Sequence, residues 1–295
     1  MNTIKMKTLN SFIFPMIILL SMSACSTILF VQKTYDPEIN LEKKPYKIVL
    51  VNLFDYTSPA YVKEKQQTSY SAGIMNLADG LSSSFSKDAS LSFFVGDTLK
   101  KDIMPGQLTS FLPRDTIHAI CERQKSDMLL SLDSLNIFFD WETEVNYSGD
   151  SKEKVKNFYL YTRFYLSFYS ATGDLINRSM MEKHSLYKSR VALSALITIK
   201  PSIANAIEAI KSLSFQAGQD YVRKFYSKTV QESRTIYAGK AFKESNLFIK
   251  LRNWDKATEL LEQLAKSSDQ NIAMKARHNL SVVKEAAALE NNETN

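Results

Sequence analysis

Apolar and polar positions along the chain fall into three textures, and each predicts an element. Ile48-Val49-Leu50-Val51 runs on into Asn52-Leu53-Phe54, a nearly unbroken apolar stretch of strand length. Such a stretch suits a strand buried on both faces. The polar segment from Asp55 to Gly73 reads as a long loop. Ile74, Leu77, Leu81 and Phe85 then recur at helical spacing. A short strand at Leu91–Val95, a short helix from Thr116 to Arg123 and a long strand from Asp127 to Phe139 follow, and Asp140 to Lys156 reads as a charged connection. The clearest period-two segment comes next, with Phe158, Leu160, Phe164, Leu166 and Phe168 on one face and Tyr159, Tyr161, Arg163, Tyr165 and Tyr169 on the other. Ala171-Thr172-Gly173-Asp174 turns the chain into a hairpin partner, Leu175 to Tyr187. From Pro201 onward the pattern is helix and turn, beginning with the stripe Ile203, Ile207, Ile210, Leu213, Ala217, Tyr221 and Phe225.

This order predicts an α+β or α/β fold in which a mixed β-sheet is covered by helices and followed by a C-terminal helical segment. The α/β body is expected over residues 46–232 and the helical tail over 233–295. In the tail, Phe248 and Trp254 supply bulk where Ala257 permits close approach and Leu261 completes the stripe, so these four are expected to pack a nested helix pair. Asp133 interrupts an otherwise apolar strand: it faces solvent, or it is buried and needs a donor.

Residues 1–24 carry Lys5 and Lys7, an apolar stretch from Phe12 to Leu20 and then small residues, the three parts of a secretory signal. The stretch is shorter than the ~20 apolar residues that span a bilayer. Residues 25–45 have little periodicity and read as a tether. The chain's 37 Lys+Arg against 31 Asp+Glu give +6. Without Lys5 and Lys7 the balance is 35 against 31, or +4, too mild and dispersed for a nucleic-acid partner.

Met22-Ser23-Ala24-Cys25 resembles the lipobox of bacterial lipoproteins, in which the cysteine carries the lipid. That resemblance implies membrane attachment through Cys25 and leaves Cys121, inside a short helical pattern, as a buried free thiol. Ser26 after the cysteine and the absence of an acidic run in Thr27-Ile28-Leu29-Phe30 imply, by likeness to lipoprotein sorting, the outer membrane facing the periplasm. Lys47 to Phe54, Ser126 to Leu130 and Gly173-Asp174 resemble the α/β periplasmic domains of the curli-export lipoprotein family and of the amino-terminal part of the translocation protein TolB. Asn253-Trp254-Asp255-Lys256-Ala257 resembles the middle of a tetratricopeptide (TPR) repeat. Taken together, the chain resembles an uncharacterised family of Gram-negative outer-membrane lipoproteins with an α/β body and a TPR-like tail.

Chemistry is sparse. Eight glycines form neither G-x-x-x-x-G-K-[ST] nor G-x-G-x-x-G, and no G-x-S-x-G or H-E-x-x-H occurs. The three histidines, His118, His184 and His278, lie in different elements, so no metal site and no cofactor is expected. The Tyr159/Tyr161/Arg163/Tyr165/Tyr169 face is the candidate for recognition, since tyrosine stacks on a ligand through its ring and bonds through its hydroxyl. The same face would serve equally under a covering helix. The expected function is a non-catalytic binding or assembly module of the cell envelope with a protein partner. The alternative is a carboxylate-dependent cell-envelope hydrolase, drawn from acids such as Asp140, Glu142 and Glu144.

Overall fold

A computed structural model describes residues 26–41, 45–60, 62–99, 104–107, 111–148, 151–191 and 200–293. The signal segment and Cys25 lie outside the described residues. Two compact units are present, one comprising Asp36–Ser227 and the other joining the strand that ends at Tyr35 to the chain from Lys228 onward.

The body is built on strands β2 (Tyr46–Asn52), β3 (Leu91–Val95), β4 (Met128–Ser148), β5 (Ser151–Ser170) and β6 (Leu175–Val191), and helices α1 (Glu64–Phe85), α2 (Arg114–Gln124) and α3 (Ile207–Val222). The sheet order is β3-β2-β4-β5-β6. β2 is parallel to both neighbours, while β4-β5 and β5-β6 are antiparallel, so the sheet is mixed. The apolar run of β2 is buried because it is covered on both faces. Ile48 and Leu50 enter the core under α1 and α3, and Val49 and Val51 enter a smaller core with Ile117 and Ile120 of α2. The stripe predicted from Ile203 supplies Ile210, Leu213, Ala217 and Tyr221 to the larger core, facing Phe158, Leu160, Phe164, Leu166 and Phe168.

Two body expectations need correction. Helix α1 begins at Glu64, inside the segment read as a loop: Ser69, Tyr70 and Gly73 are buried, and small or polar residues at a close helix contact leave no apolar stripe. Gly73 shows the tightness, since a Cβ there would lie 3.3 Å from Leu135 Cδ2. The charged connection from Asp140 to Lys156 is instead the outer part of a long hairpin, paired from Asp140↔Tyr159 to Ser148↔Ser151. Its faces are polar because that arm is largely exposed, so the burial alternation is lost while strand pairing persists.

Cys121 is a buried free thiol on α2 beside the Leu112, Ile117 and Tyr169 side chains, and burial pushes its pKa up. A thiol so placed is a poor nucleophile. Cys121→Ala should therefore leave the protein folded and fully reduced alkylation mass spectra should find this thiol unpaired; a disulfide to it would overturn the assignment.

The second unit contains β1 (Ser26–Tyr35), β7 (Lys228–Tyr237), α4 (Lys243–Lys250), α5 (Trp254–Leu264) and α6 (Gln270–Glu293). The expected tether is thus a strand from Ser26 to Tyr35, antiparallel to β7 from Ser26↔Tyr237 to Tyr35↔Lys228. Likewise β7 replaces the helix-and-turn reading of that stretch. Both strands are mostly exposed, and the partner of each lies about two hundred residues away, beyond any local pattern. Ala257 and Leu261 are fully buried with Phe242, Ile249, Ala276 and Val283, while Phe248 and Trp254 pack half-buried against them. Trp254 Nε1 donates to Glu290 on α6, and Asn253 caps α5 by accepting from Lys256 N–H at 3.2 Å. Replacing Trp254 by Ala should destabilise this unit by about 3 kcal/mol, the lower end for a large aromatic. Hydrogen exchange should show protection lost first in α5 and α6; equal loss at Ile48–Phe54 would instead mean one cooperative structure.

Candidate functional site

The tyrosine face of the sheet forms rungs across three strands. In order along β5 these are Ser134↔Tyr165↔Met180, Asn136↔Arg163↔Glu182, Phe138↔Tyr161↔His184 and Asp140↔Tyr159↔Leu186. The core helices α1 and α3 pack on the opposite face, so Tyr159, Tyr161, Arg163 and Tyr165 stay half-buried and Met180 and Leu186 are 52% and 53% exposed. The central rung is a stack: Phe138 and Tyr161 rings are 5.0 Å apart at 7°, and Tyr161 and His184 are 4.9 Å apart at 23°. Tyr159 meets His184 edge-on at 6.4 Å. Such pairs gain beyond area burial, and they hold the rings as a fixed, flat surface.

Charge sits around this surface. Arg163 donates through Nε and Nη2 to Glu182 Oε2 at 2.6 and 2.5 Å and lies 5.2 Å over the Phe138 ring. Its pKa is pushed up by the Glu182 hydrogen bond. The Tyr161 phenol is pushed up by desolvation first and then by Asp140, Glu182 and Glu142. It therefore stays protonated as a donor.

One end of the face is closed. Gly106 N–H donates to Ser134 Oγ at 2.9 Å, and Gly106 takes φ +79° with Asn136 beneath it, which suits a residue without a Cβ. Beyond that loop, Arg178 lies 4.6 Å over Phe111, and Tyr169 is buried with Leu112 and α2. Tyr169 therefore departs from the expected face: it fills the smaller core, and its hydroxyl accepts from Leu112 N–H at 3.5 Å. Phe138, Glu182, His184 and Leu186 belong to the site and were not among its expected residues. Their period-two spacing is visible in the sequence, but Phe138 reaches this face only through the bulge at Leu132/Ser134, and the pairing of Glu182, His184 and Leu186 depends on the one at Phe168/Tyr169.

The four tail residues form a packing cluster rather than part of this face. Of the other histidines, His118 is exposed near Glu122 at 4.0 Å, and His278 Nε2 is 2.8 Å from Thr235 O. Among the described residues no group of three or more His, Cys, Asp or Glu side chains is placed to hold a metal ion, and no helix is long and apolar enough to cross a membrane.

A family model described as a domain of unknown function, DUF8603, matches residues 47–237. The chain belongs to the DUF8603 family. The match opens in β2 and closes with β7, so it contains every strand of the tyrosine face and stops before α4. No curated protein matches the chain. Among solved structures, a putative neuraminyllactose-binding hemagglutinin homolog from Helicobacter pylori is similar at 14% identity and a TM-score of 0.30, covering 62% of this chain and 88% of that one. The hypothetical protein CT253 from Chlamydia trachomatis is similar at 7% identity and a TM-score of 0.24, covering 48% of this chain and 73% of that one.

Proposed function

We propose that this DUF8603 chain is a lipid-anchored outer-membrane protein of a Gram-negative cell envelope, facing the periplasm, and that it is a non-catalytic binding or assembly module. The observation that carries the binding role is the half-exposed Phe138–Tyr161–His184 stack, flanked by exposed Met180 and Leu186. A preformed aromatic surface with little side-chain entropy left to lose is what an interface centre requires. The rim of Arg163, Glu182 and Asp140 supplies orientation. Hydrolysis by carboxylates would need two acids converging in a cleft; here Asp140 and Glu142 lie along one strand on an open surface, and Glu182 is engaged by Arg163.

The anchor is supported by the lipobox-like Met22 to Cys25. Several acyl chains on one residue hold a protein durably where one does not. Cys25→Ala should therefore leave the precursor unprocessed or release the protein from the outer membrane, and unchanged fractionation with normal maturation defeats the lipoprotein assignment. For the face, affinity purification of the membrane-anchored protein should be run beside a Tyr161→Ala/His184→Ala variant. A partner retained by the parent and lost with the variant, at equal thermal stability, is the expected result; identical partner sets would remove the face from the proposal.

A further inference from the structure

We propose that the outer side of α4 is a second binding site, which takes an acidic peptide segment with an apolar side chain between its carboxylates. An open groove of about 930 Å³ runs along Gly239, Lys240, Lys243, Asn246, Leu247 and Lys250. All of these belong to one unit. Helix α4 buries Ser245, Asn246 and Ile249 inward, which turns Lys243, Leu247 and Lys250 outward at positions i, i+4 and i+7 of one face.

Two features identify the occupant. Lys240, Lys243 and Lys250 oppose only Glu244 on the groove, and none of the three lysines has an ion-pair partner among the described residues. In the same unit Arg234, Arg252, Lys256 and Lys284 each have a carboxylate. Between the lysines, Leu247 is 52% exposed, an apolar foothold inside a cationic rim. From Lys243 to Lys250 the helix rises ~10 Å, about three residues of extended chain, which sets the acid-apolar-acid spacing.

The test uses the full-length protein in detergent and a fluorescein-labelled Glu-Asp-Leu-Glu-Asp-Leu-Glu-Asp peptide, read by fluorescence anisotropy. Saturable binding that weakens with salt is expected. Lys243→Glu/Lys250→Glu should weaken it about tenfold or more, and Leu247→Ser severalfold. All three sites are exposed, so the variants should retain the parent's thermal transition. Lys65→Glu/Lys266→Glu, which moves the same charge elsewhere, should bind as the parent does, as should Tyr161→Ala/His184→Ala. The proposal is overturned by absence of saturable binding, by equal binding of a Lys-Arg-Leu-Lys-Arg peptide, or by equal loss in the two charge-reversal variants. It is likewise overturned if phosphatidylglycerol vesicles, and not the peptide, respond to the lysine reversal.

Discussion

Gly80→Ala is expected to destabilise the body by about 2–3 kcal/mol, although Ala is the better helix former by roughly 1 kcal/mol. The reason is the crossing of α1 and α3, where backbone meets backbone. A Cβ on Gly80 would lie 2.1 Å from Phe215 O, and one on Gly218 would lie 2.4 Å from Leu77 O. Both obstacles are carbonyls, and neither can rotate away as a side-chain end would. The helices must separate, which loosens Leu77, Leu81 and Ala217 in the main core. Urea unfolding monitored by far-ultraviolet circular dichroism, with hydrogen exchange in α1 and α3, measures the cost. Ser83→Ala, on the same helix but half-exposed, provides the opposite sign of about a few tenths of a kcal/mol. A neutral or stabilising Gly80→Ala would show that the helices are not in backbone contact.

Contacts made by small residues also limit what residue order reveals. Strand β2 and the α3 stripe were legible because burial on two faces, or on one helical face, writes itself as a run or a 3.6-residue period. The first three turns of α1 were not, because Ser69, Tyr70 and Gly73 are what they bury, and small or polar residues at a contact resemble the residues of loops. β1 and β7 failed for a different reason. Their stability comes from pairing with each other across the length of the chain, and their alternation is diluted by exposed positions on both faces. For the candidate site, the tyrosine alternation showed which residues share a face. Which face the helices would cover depended on where α3 docks, and which neighbours would complete the aromatic stack depended on register.

Register turns on Asp133, and its replacement should have the other large effect. Upstream of it the residues of β4 that enter the main core are even-numbered, Leu130 and Leu132; downstream they are odd, Leu135, Ile137 and Phe139. The bulge between Leu132 and Ser134 makes that change of parity. Asp133, 1% exposed, is the extra residue, and its carboxylate is held on the other side of the sheet by three donors. Ser131 Oγ donates to Oδ1 at 2.5 Å, while Ser167 Oγ at 2.5 Å and Arg178 Nη2 at 3.1 Å donate to Oδ2. Removing a buried carboxylate strands its partners, and Asp133→Ala should cost about 3–5 kcal/mol. Asp133→Asn keeps the shape and the hydroxyl contacts but loses the ion pair, so it should fall between. The double variant Asp133→Ala/Arg178→Met should cost clearly less than the two single costs together, because the second change removes the charge that the first one abandons. Because the bulge turns Phe138 to the face that carries Tyr161 and His184, Asp133→Ala should also weaken partner capture by the tyrosine face at temperatures where the protein remains folded. A cost under about 1 kcal/mol, or strict additivity in the cycle, would mean that the bulge is held by the strands alone and that the carboxylate merely occupies it.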